Sequence, residues 1–367
     1  MKIKIENIYN IIFLISYFFL LLYSFVGANA GIHNILSRIS NISLMLVAVS
    51  FLFQLKRFKK KNLLILLFIS LLSIILLYNS EDFLFVKLVL LIVLTNKIPF
   101  DKRIKIDLKI RIILILIVYL LFINNKITDI TYVSNSGLLR HSYGFTNPNV
   151  LALHSLILCF EILYLNRNSK SKLPMLITLL ITVITYYITY SRSTLIAFLS
   201  FVILKILTDK HKNLLNSPIV KKIIINIPFI TFVLVFIFFI LFYNNNQIGI
   251  KLNELMSGRL YNIKYYYENF SITLFGQNLS LTLRTLDTAP VYFLYSFGIF
   301  GLIIYIVGYR ELLKTLYKKR LYSLVLIFLV FVIYGLSERL WTAIDYNIFI
   351  SAFTFVFFDN TLDVNEK

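Results

Sequence analysis

Residues 223–243 read "IIINIPFITFVLVFIFFILFY", a run without a charged side chain. In helical form, at about 1.5 Å of rise per residue, it is long enough to cross the roughly 30 Å hydrocarbon layer of a bilayer. The rest of the chain has the same character. Its 367 residues are 59% hydrophobic and 16% aromatic but only 15% charged. No water-soluble core hides that much apolar surface. Apolar runs of span length occupy 8–26, 39–55, 62–79, 83–97, 110–124, 148–165, 173–190, 193–208, 220–243, 288–309, 321–336 and 343–358. They predict an all-α fold, a polytopic bundle of about 12 transmembrane helices forming a single integral membrane domain over 1–367. The first run follows "MKIKIEN", which imitates a signal peptide. It is too long for a signal core and lacks a small-residue cleavage site, so it reads as a retained helix.

The charges test this count independently. Lys and Arg near span ends are held on the cytoplasmic side. Every second connection is basic: "KRFKKK" at 56–61, "KIPFDKRIKIDLKIR" at 97–111, "NRNSKSK" at 166–172, "KHK" at 210–212 with Lys221 and Lys222, and "YKKR" at 317–320. Both termini are therefore expected in the cytoplasm. The formal charge of +20 serves as a topology signal and an attraction to anionic membrane lipid, with no nucleic acid among the partners. The remaining connections face outward. Two of them are long, 125–147 and the larger, partly helical 244–287.

Cys159 is the single cysteine, so it reads as a packing residue. Four scattered His residues give no metal-ligand spacing, and neither a phosphate loop nor a GxSxG elbow is present. No metal or cofactor is expected. His154 reads as a bond to a neighbouring helix, and Lys87 as a side chain snorkelling outward.

The outward face prefers guanidinium. Its basic residues are Arg38, Arg140, Arg192, Arg259, Arg284 and Arg339, with Lys126, Lys251 and Lys264 the only lysines. An Arg fork matches phosphate or carboxylate oxygens bidentately, which a Lys point charge does not. The plainer alternative pairs these arginines with Glu254, Glu268, Asp287 or Glu338, or with lipid head groups. Helix starts lie on the same side: Asn147 and Pro148 suit an N-cap and first helical position, Ser191 or Ser193 suits a cap, and Asp287 another. A helix N-terminus beside an arginine favours an anion.

Four stretches then stand in a telling order: "RHSYGFTNPNVLALHS" at 140–155, "YSRSTLIAFL" at 190–199, "LMSGRLYNIKYYYENFSITLFGQNLS" at 255–280 and "LDTAPVYFLYSFGIFGL" at 286–302. Together they resemble the Wzy-type repeat-unit polymerases of bacterial surface polysaccharides (O-antigen, capsule, exopolysaccharide). The likeness extends weakly to "SERLW" near the end, and the first third matches in hydropathy alone. It implies a GT-C-like membrane glycosyltransferase in the bacterial cytoplasmic membrane. Such an enzyme transfers glycan from a polyprenyl (undecaprenyl) diphosphate carrier to the non-reducing end of a second lipid-linked repeat unit, alongside a flippase and a chain-length regulator.

On this reading Arg140, Arg192, Arg259 and Arg284 stabilise the departing diphosphate, while Glu338 and Asp287 are candidates for the base or orienting carboxylate. Substrate contacts are expected from His141, Asn147, Asn149, Ser191, Tyr261, Tyr265 and Arg339. His141 also reads as a polar loop residue, and the "YNIKYYYENF" tyrosines as an interfacial belt more than a sugar platform. Three alternatives remain: an O-antigen-type ligase, disfavoured because 244–287 holds no His; a lipid-linked oligosaccharide flippase or other transporter, whose polar sites would sit near the midplane; and a structural scaffold. The topology has a direct check. A cysteine placed at Asn278 should react with an impermeant thiol reagent in intact cells, and labelling only after lysis would reverse the orientation.

Overall fold

The computed structural model describes residues 2–26, 35, 38, 39, 41–48, 60–96, 98–133, 137–211, 214–280, 282 and 284–358. The basic stretch 56–59, most of the first outward segment 27–38 and the second half of the 39–55 run lie outside them. The protein is all-α. Among the described residues the one strand pairing joins Tyr132–Val133 to Leu139–Arg140, antiparallel, with Tyr132 opposite Arg140. The chain divides into two compact units, Met1–Leu67 with Lys87–Phe198 and Ala343–Lys367, and Phe68–Val86 with Leu199–Thr342. Helices Lys60–Ser80, Leu84–Thr95 and Arg192–Lys210 contribute to both.

In the first unit, helices Lys2–Val26, Phe100–Ile123 and Pro148–Leu165 pack on one another, and Leu173–Thr189 packs on Pro148–Leu165. The Pro148 helix starts as its sequence dictates. Asn147 accepts the Val150 amide at 2.9 Å, and Pro148, which has no N–H to leave unpaired, takes the first turn. The Leu173 helix is inside out by the rules of water. Thr178, Thr182, Thr185 and Thr189 form its buried stripe, while Leu176, Leu179, Leu180, Val183, Ile184 and Tyr187 are exposed. The threonine hydroxyls are satisfied within the helix, Thr182 donating to the Thr178 carbonyl at 2.8 Å and Thr189 to that of Thr185 at 2.8 Å. Small hydroxylated residues let two helix backbones approach closely, and the apolar side chains are left for an apolar surround.

The basic stretch 97–111 is not a loop. The helix begins at Phe100, directly after Pro99, and carries Asp101 in its first turn where the helix dipole favours it. Arg103, Asp107 and Arg111 recur every four residues on the buried face with Ile104, Ile110, Leu114 and Val118, whereas Lys102, Lys105 and Lys109 are exposed. The 343–358 run departs too. It forms a 3-10 turn, Ile348–Phe353, and a short helix, Thr354–Phe357. Asn347 caps the Phe349 amide at 3.1 Å, and β-branched and aromatic neighbours extend the helix poorly.

In the second unit, Ile227–Tyr243 packs against Arg259–Asn269, Gly298–Lys318 and Tyr322–Tyr334. Two expected spans are broken. The 220–243 run bends by 63° between Pro218–Ile225 and Ile227–Tyr243, because the Pro228 ring clashes with the carbonyl four residues back and offers it no N–H. The 288–309 run splits into Ala289–Ser296 and Gly298–Lys318. Into that break docks the extended segment 273–277: Ile299 donates to the Thr273 carbonyl at 3.0 Å, Phe300 to that of Leu274 at 3.1 Å, and Gln277 to that of Ser296 at 3.2 Å. The orphan amides of a helix start are thus met by another segment's backbone. The 244–287 segment also holds helices Gln247–Leu255 and Arg259–Asn269.

Among the described residues two helices, Leu63–Ser80 and Pro148–Leu165, are long and apolar enough to cross a membrane, or three if the bent pair counts as one. Leu84–Thr95, Leu173–Thr189 and Tyr322–Tyr334 are apolar but shorter.

At the broken span Gly276 and Gly298 face each other with φ of +89° and +70°, and a Cβ on Gly276 would run into the Ser296 carbonyl. Gly276→Ala should therefore cost about 2 kcal/mol or more in thermal unfolding, against about 1 kcal/mol for Gly258→Ala. Gly258 has an equally positive φ, +83°, but nothing within 4 Å of the added atom. Equal losses would remove the steric argument.

Candidate functional site

The expected site residues fall into two groups, one in each unit. In the first unit, Arg140 ends the second strand and spends two donors on protein oxygens, Nε to the Thr189 carbonyl at 2.6 Å and Nη2 to Asn149 Oδ1 at 2.5 Å. Asn149 thus orients the guanidinium, and the Thr189 carbonyl comes from the end of the Leu173 helix. That helix closes with Tyr190 in the left-handed conformation, φ 47°. Ser191 follows, buried, its hydroxyl 2.9 Å from that of Thr194, and Arg192 starts the next helix exposed. Asn147 serves as the cap described above.

His141 has a partner that sequence reasoning missed. Its Nδ1 lies 2.6 Å from Asp129 Oδ2, and its ring stacks on Tyr143 at 5.3 Å. Asp129 Oδ1 also accepts the Ser142 and Tyr143 amides, each at 2.9 Å. Burial alone would raise the Asp129 carboxyl, but the His141 bond and these two amides hold it below its ordinary range. Asp129 is thereby the organiser of the "HSYG" turn. Gly144, φ +92°, lets that turn close against Val118 and Ile127. Lys87 does not simply snorkel: its Nζ pairs with Asp345 Oδ2 at 2.8 Å within the same unit.

In the second unit the geometry is more concentrated. Glu338 is 3% exposed, and its Oε1 accepts the Arg339 and Leu340 amides at 3.1 and 3.4 Å. Burial, then the negative charge of Asp287, pushes its carboxyl up to about 7, against the opposing pull of Arg259 and Arg339. The Arg339 guanidinium lies 3.9 Å from the Tyr292 ring centre. The Tyr292 hydroxyl in turn donates to Asp82 Oδ2, and Asp82 Oδ1 caps the Leu84 amide at 2.9 Å. Asp82 and Tyr292 were invisible as site residues from sequence. One hint was legible, an acidic residue at a helix start, where capping chemistry is sought.

Arg259 opens its helix behind Gly258 and gives Nη1 to the Met256 carbonyl at 2.8 Å, while its buried Nε has no hydrogen-bond partner among the described residues. Arg284 lies over the rings of Tyr261 and Tyr265, at 4.3 and 5.3 Å from their centres, so those faces hold a guanidinium. Asp287 is not the cap it was expected to be. Thr288 holds that position, and Asp287 Oδ2 accepts the Thr285 hydroxyl at 3.3 Å. Among the described residues no cluster of three or more His, Cys, Asp or Glu side chains could hold a metal ion.

Chemically, the second unit offers a buried carboxyl that gains and loses its proton near neutrality, two arginines acting on it, and an open guanidinium donor. The folded-state value is raised, from 4.5 to about 7, so the protonated form stabilises the fold at low pH and that stability is lost as pH climbs through this window. Glu338→Gln should abolish that loss in a series of thermal melts. Asp287→Asn should move the Glu338 transition to lower pH, and Arg259→Ala to higher pH, followed by infrared titration of the carboxyl band.

No family model, no curated protein and no solved structure matches this chain.

Proposed function

We propose that the chain is a multi-pass membrane glycosyltransferase of the bacterial cytoplasmic membrane, a repeat-unit polymerase that draws glycan from a polyprenyl diphosphate carrier. The observation that carries this reading is Glu338, a buried carboxyl poised near 7 beside Arg259 and Arg339. A general base works best with a value near the working pH. In the proposed step Glu338 takes the proton of an acceptor hydroxyl, whose oxygen forms the new bond to the anomeric carbon. The glycosyl–phosphate bond breaks, and its electron pair leaves on the diphosphate. Guanidinium donors stabilise that growing charge, the unpartnered Nε of Arg259 first. Arg339 and Asp287 shape the surroundings of Glu338, and Arg284, held over Tyr261 and Tyr265, is a further donor. In the first unit, Arg140, oriented by Asn149, is assigned with Arg192, Ser191, Asn147 and His141 to holding a lipid diphosphate.

Membrane residence is supported by the Leu173 helix, which turns its threonines inward and its leucines outward. The proposed topology keeps about 12 spans, with the bent and split helices as broken crossings, tolerated where protein covers the freed backbone. A transporter reading has one observation in its favour, the charged pair Lys87–Asp345, whose lysine is the one charged residue of the Leu84–Thr95 helix.

The test supplies lipid-diphosphate-linked repeat units to the purified protein in detergent. A glycan ladder is expected, with a rate that rises with pH through about 7 as Glu338 loses its proton. Arg259→Ala and Arg140→Ala should lower the rate by about 10²-fold or more. Glu338→Gln should remove the pH dependence together with most of kcat. No ladder from wild type, or ladders untouched by these changes, would sink the proposal. Lipid flipping in vesicles without a ladder would favour the transporter.

A further inference from the structure

Three helices of the first unit enclose a set of ionisable groups that the proposed reaction does not use. Arg111, Asp107, Glu161 and His154 are each 0% exposed. Arg111 Nη2 donates to Asp107 Oδ2 at 2.7 Å and to the Tyr346 carbonyl at 3.2 Å, and Nη1 lies 2.6 Å from His154 Nδ1. A guanidinium can only donate, so His154 Nδ1 accepts and the ring is neutral. Its remaining proton sits on Nε2, which faces Ser24 Oγ at 3.4 Å. The cluster therefore holds one fixed positive charge and two carboxyl groups.

The acceptors and donors do not close. Glu161 Oε1 stands 3.5 Å from Arg111 Nε as an ion pair, yet both Glu161 oxygens lack a hydrogen-bond partner among the described residues, as do Asp107 Oδ1 and Tyr17 Oη. Tyr17 and Glu161 both lie against Asp107. Two ionised carboxylates lying against each other away from water repel, and one guanidinium cannot neutralise both. One added proton removes that repulsion and gives Asp107 Oδ1 a donor.

We infer that Asp107 and Glu161 form a buried proton-binding site, with the proton carried on Glu161 and donated to Asp107 Oδ1. Arg111 and Asp107 then neutralise each other, and the cluster is uncharged. The groups facing the proton are Tyr17 from the Lys2–Val26 helix, Asp107 and Arg111 from the Phe100–Ile123 helix, and His154 and Cys159 on Glu161's own helix. Tyr346 contributes a carbonyl. An ionisable pair of this kind inside an apolar bundle is the type of group that relays protons across membranes. The inference does not depend on the glycosyltransferase reading.

The full-length protein in detergent tests it directly. Wild type at about pH 9, where Glu338 is ionised, should show the infrared carbonyl band of an un-ionised, unhydrated carboxyl group, shifted in deuterated buffer and absent from Glu161→Gln. Glu161→Gln, isosteric with the protonated acid, should melt at the wild-type temperature at pH 7, whereas Glu161→Ala should melt lower. Raising the pH from about 9 upward, beyond the Glu338 window, should destabilise wild type, since the unfolded chain has already lost the proton that the folded form keeps, and should leave Glu161→Gln unchanged. The inference is overturned by the absence of the band in wild type, a measurement that needs no variant to fold. Identical alkaline melting curves for wild type and Glu161→Gln would also overturn it. So would a wild-type melting point that follows sodium or potassium at constant ionic strength, which would put a metal cation where the proton is placed.

Discussion

A guanidinium shut away from water must find acceptors inside the protein, and Arg111 sets the terms on which three helices of the first unit meet. Its fork reaches an acid one turn back on its own helix, a histidine on the Pro148 helix and the Tyr346 carbonyl. No lysine could do this, because a single ammonium cannot span three directions with fixed geometry. The same helix shows the sorting. Its lysines at 102, 105 and 109 stay exposed, while Arg103 is buried and binds the carbonyls of Ile98 and Ser351 and the Thr354 hydroxyl, each within 2.9 Å. Arg103 thus holds the last short helical segments to this unit, and Arg111 holds the middle. Removing Arg111 would break a buried ion pair and strand its carboxylates, a loss of about 3–5 kcal/mol.

The second unit uses the same chemistry to a different end. Arg339 is stacked on Tyr292, Tyr292 is anchored by Asp82, and Glu338 sits between opposing influences instead of being locked to one partner. A carboxyl in a tight one-to-one pair stays ionised and inert. Glu338 accepts only backbone amides and feels an acid and two arginines at once, so its proton is free to come and go near neutrality. That contrast separates a group that holds a fold together from one placed to react.

Much of this was legible in the residues. Asn147 and Pro148 announced a helix start through their own local chemistry, whereas Pro228 was read through as part of one continuous 220–243 span although the bend lies at it. Arg140, Arg259, Arg339 and Glu338 were singled out by their residue type. What escaped was long-range. Periodicity tells which face of a helix is turned inward, but not that Glu161 meets Asp107 or that Lys87 meets Asp345. The Arg103, Asp107, Arg111 stripe stood in plain four-residue spacing, yet the intervening lysines made it read as a loop. The Leu173 helix is apolar nearly all round, so only its threonines could reveal the inward face. Broken crossings escape for a related reason: nothing between Ala289 and Lys318 forbids a continuous helix, and the interruption is made by a distant segment.

That segment has a consequence for how the chain tolerates change. Residues 273–277 make three backbone hydrogen bonds in fixed register, two to the start of the Gly298 helix and one to Ser296, with Phe275 stacked on Phe300 at 4.9 Å. They form a clasp, closing a hairpin-like excursion whose apex carries Asn278, Ser280, Arg284 and Asp287. Residues inserted beside Asn278 lengthen the excursion at a small entropic cost, whereas Thr282, Arg284 and Thr285 are tied back to Tyr266 and Asn262. One residue gained or lost inside the clasp would place a side chain where Gly276 now meets Gly298. Length can therefore vary beside Asn278, while the length of the clasp is held constant.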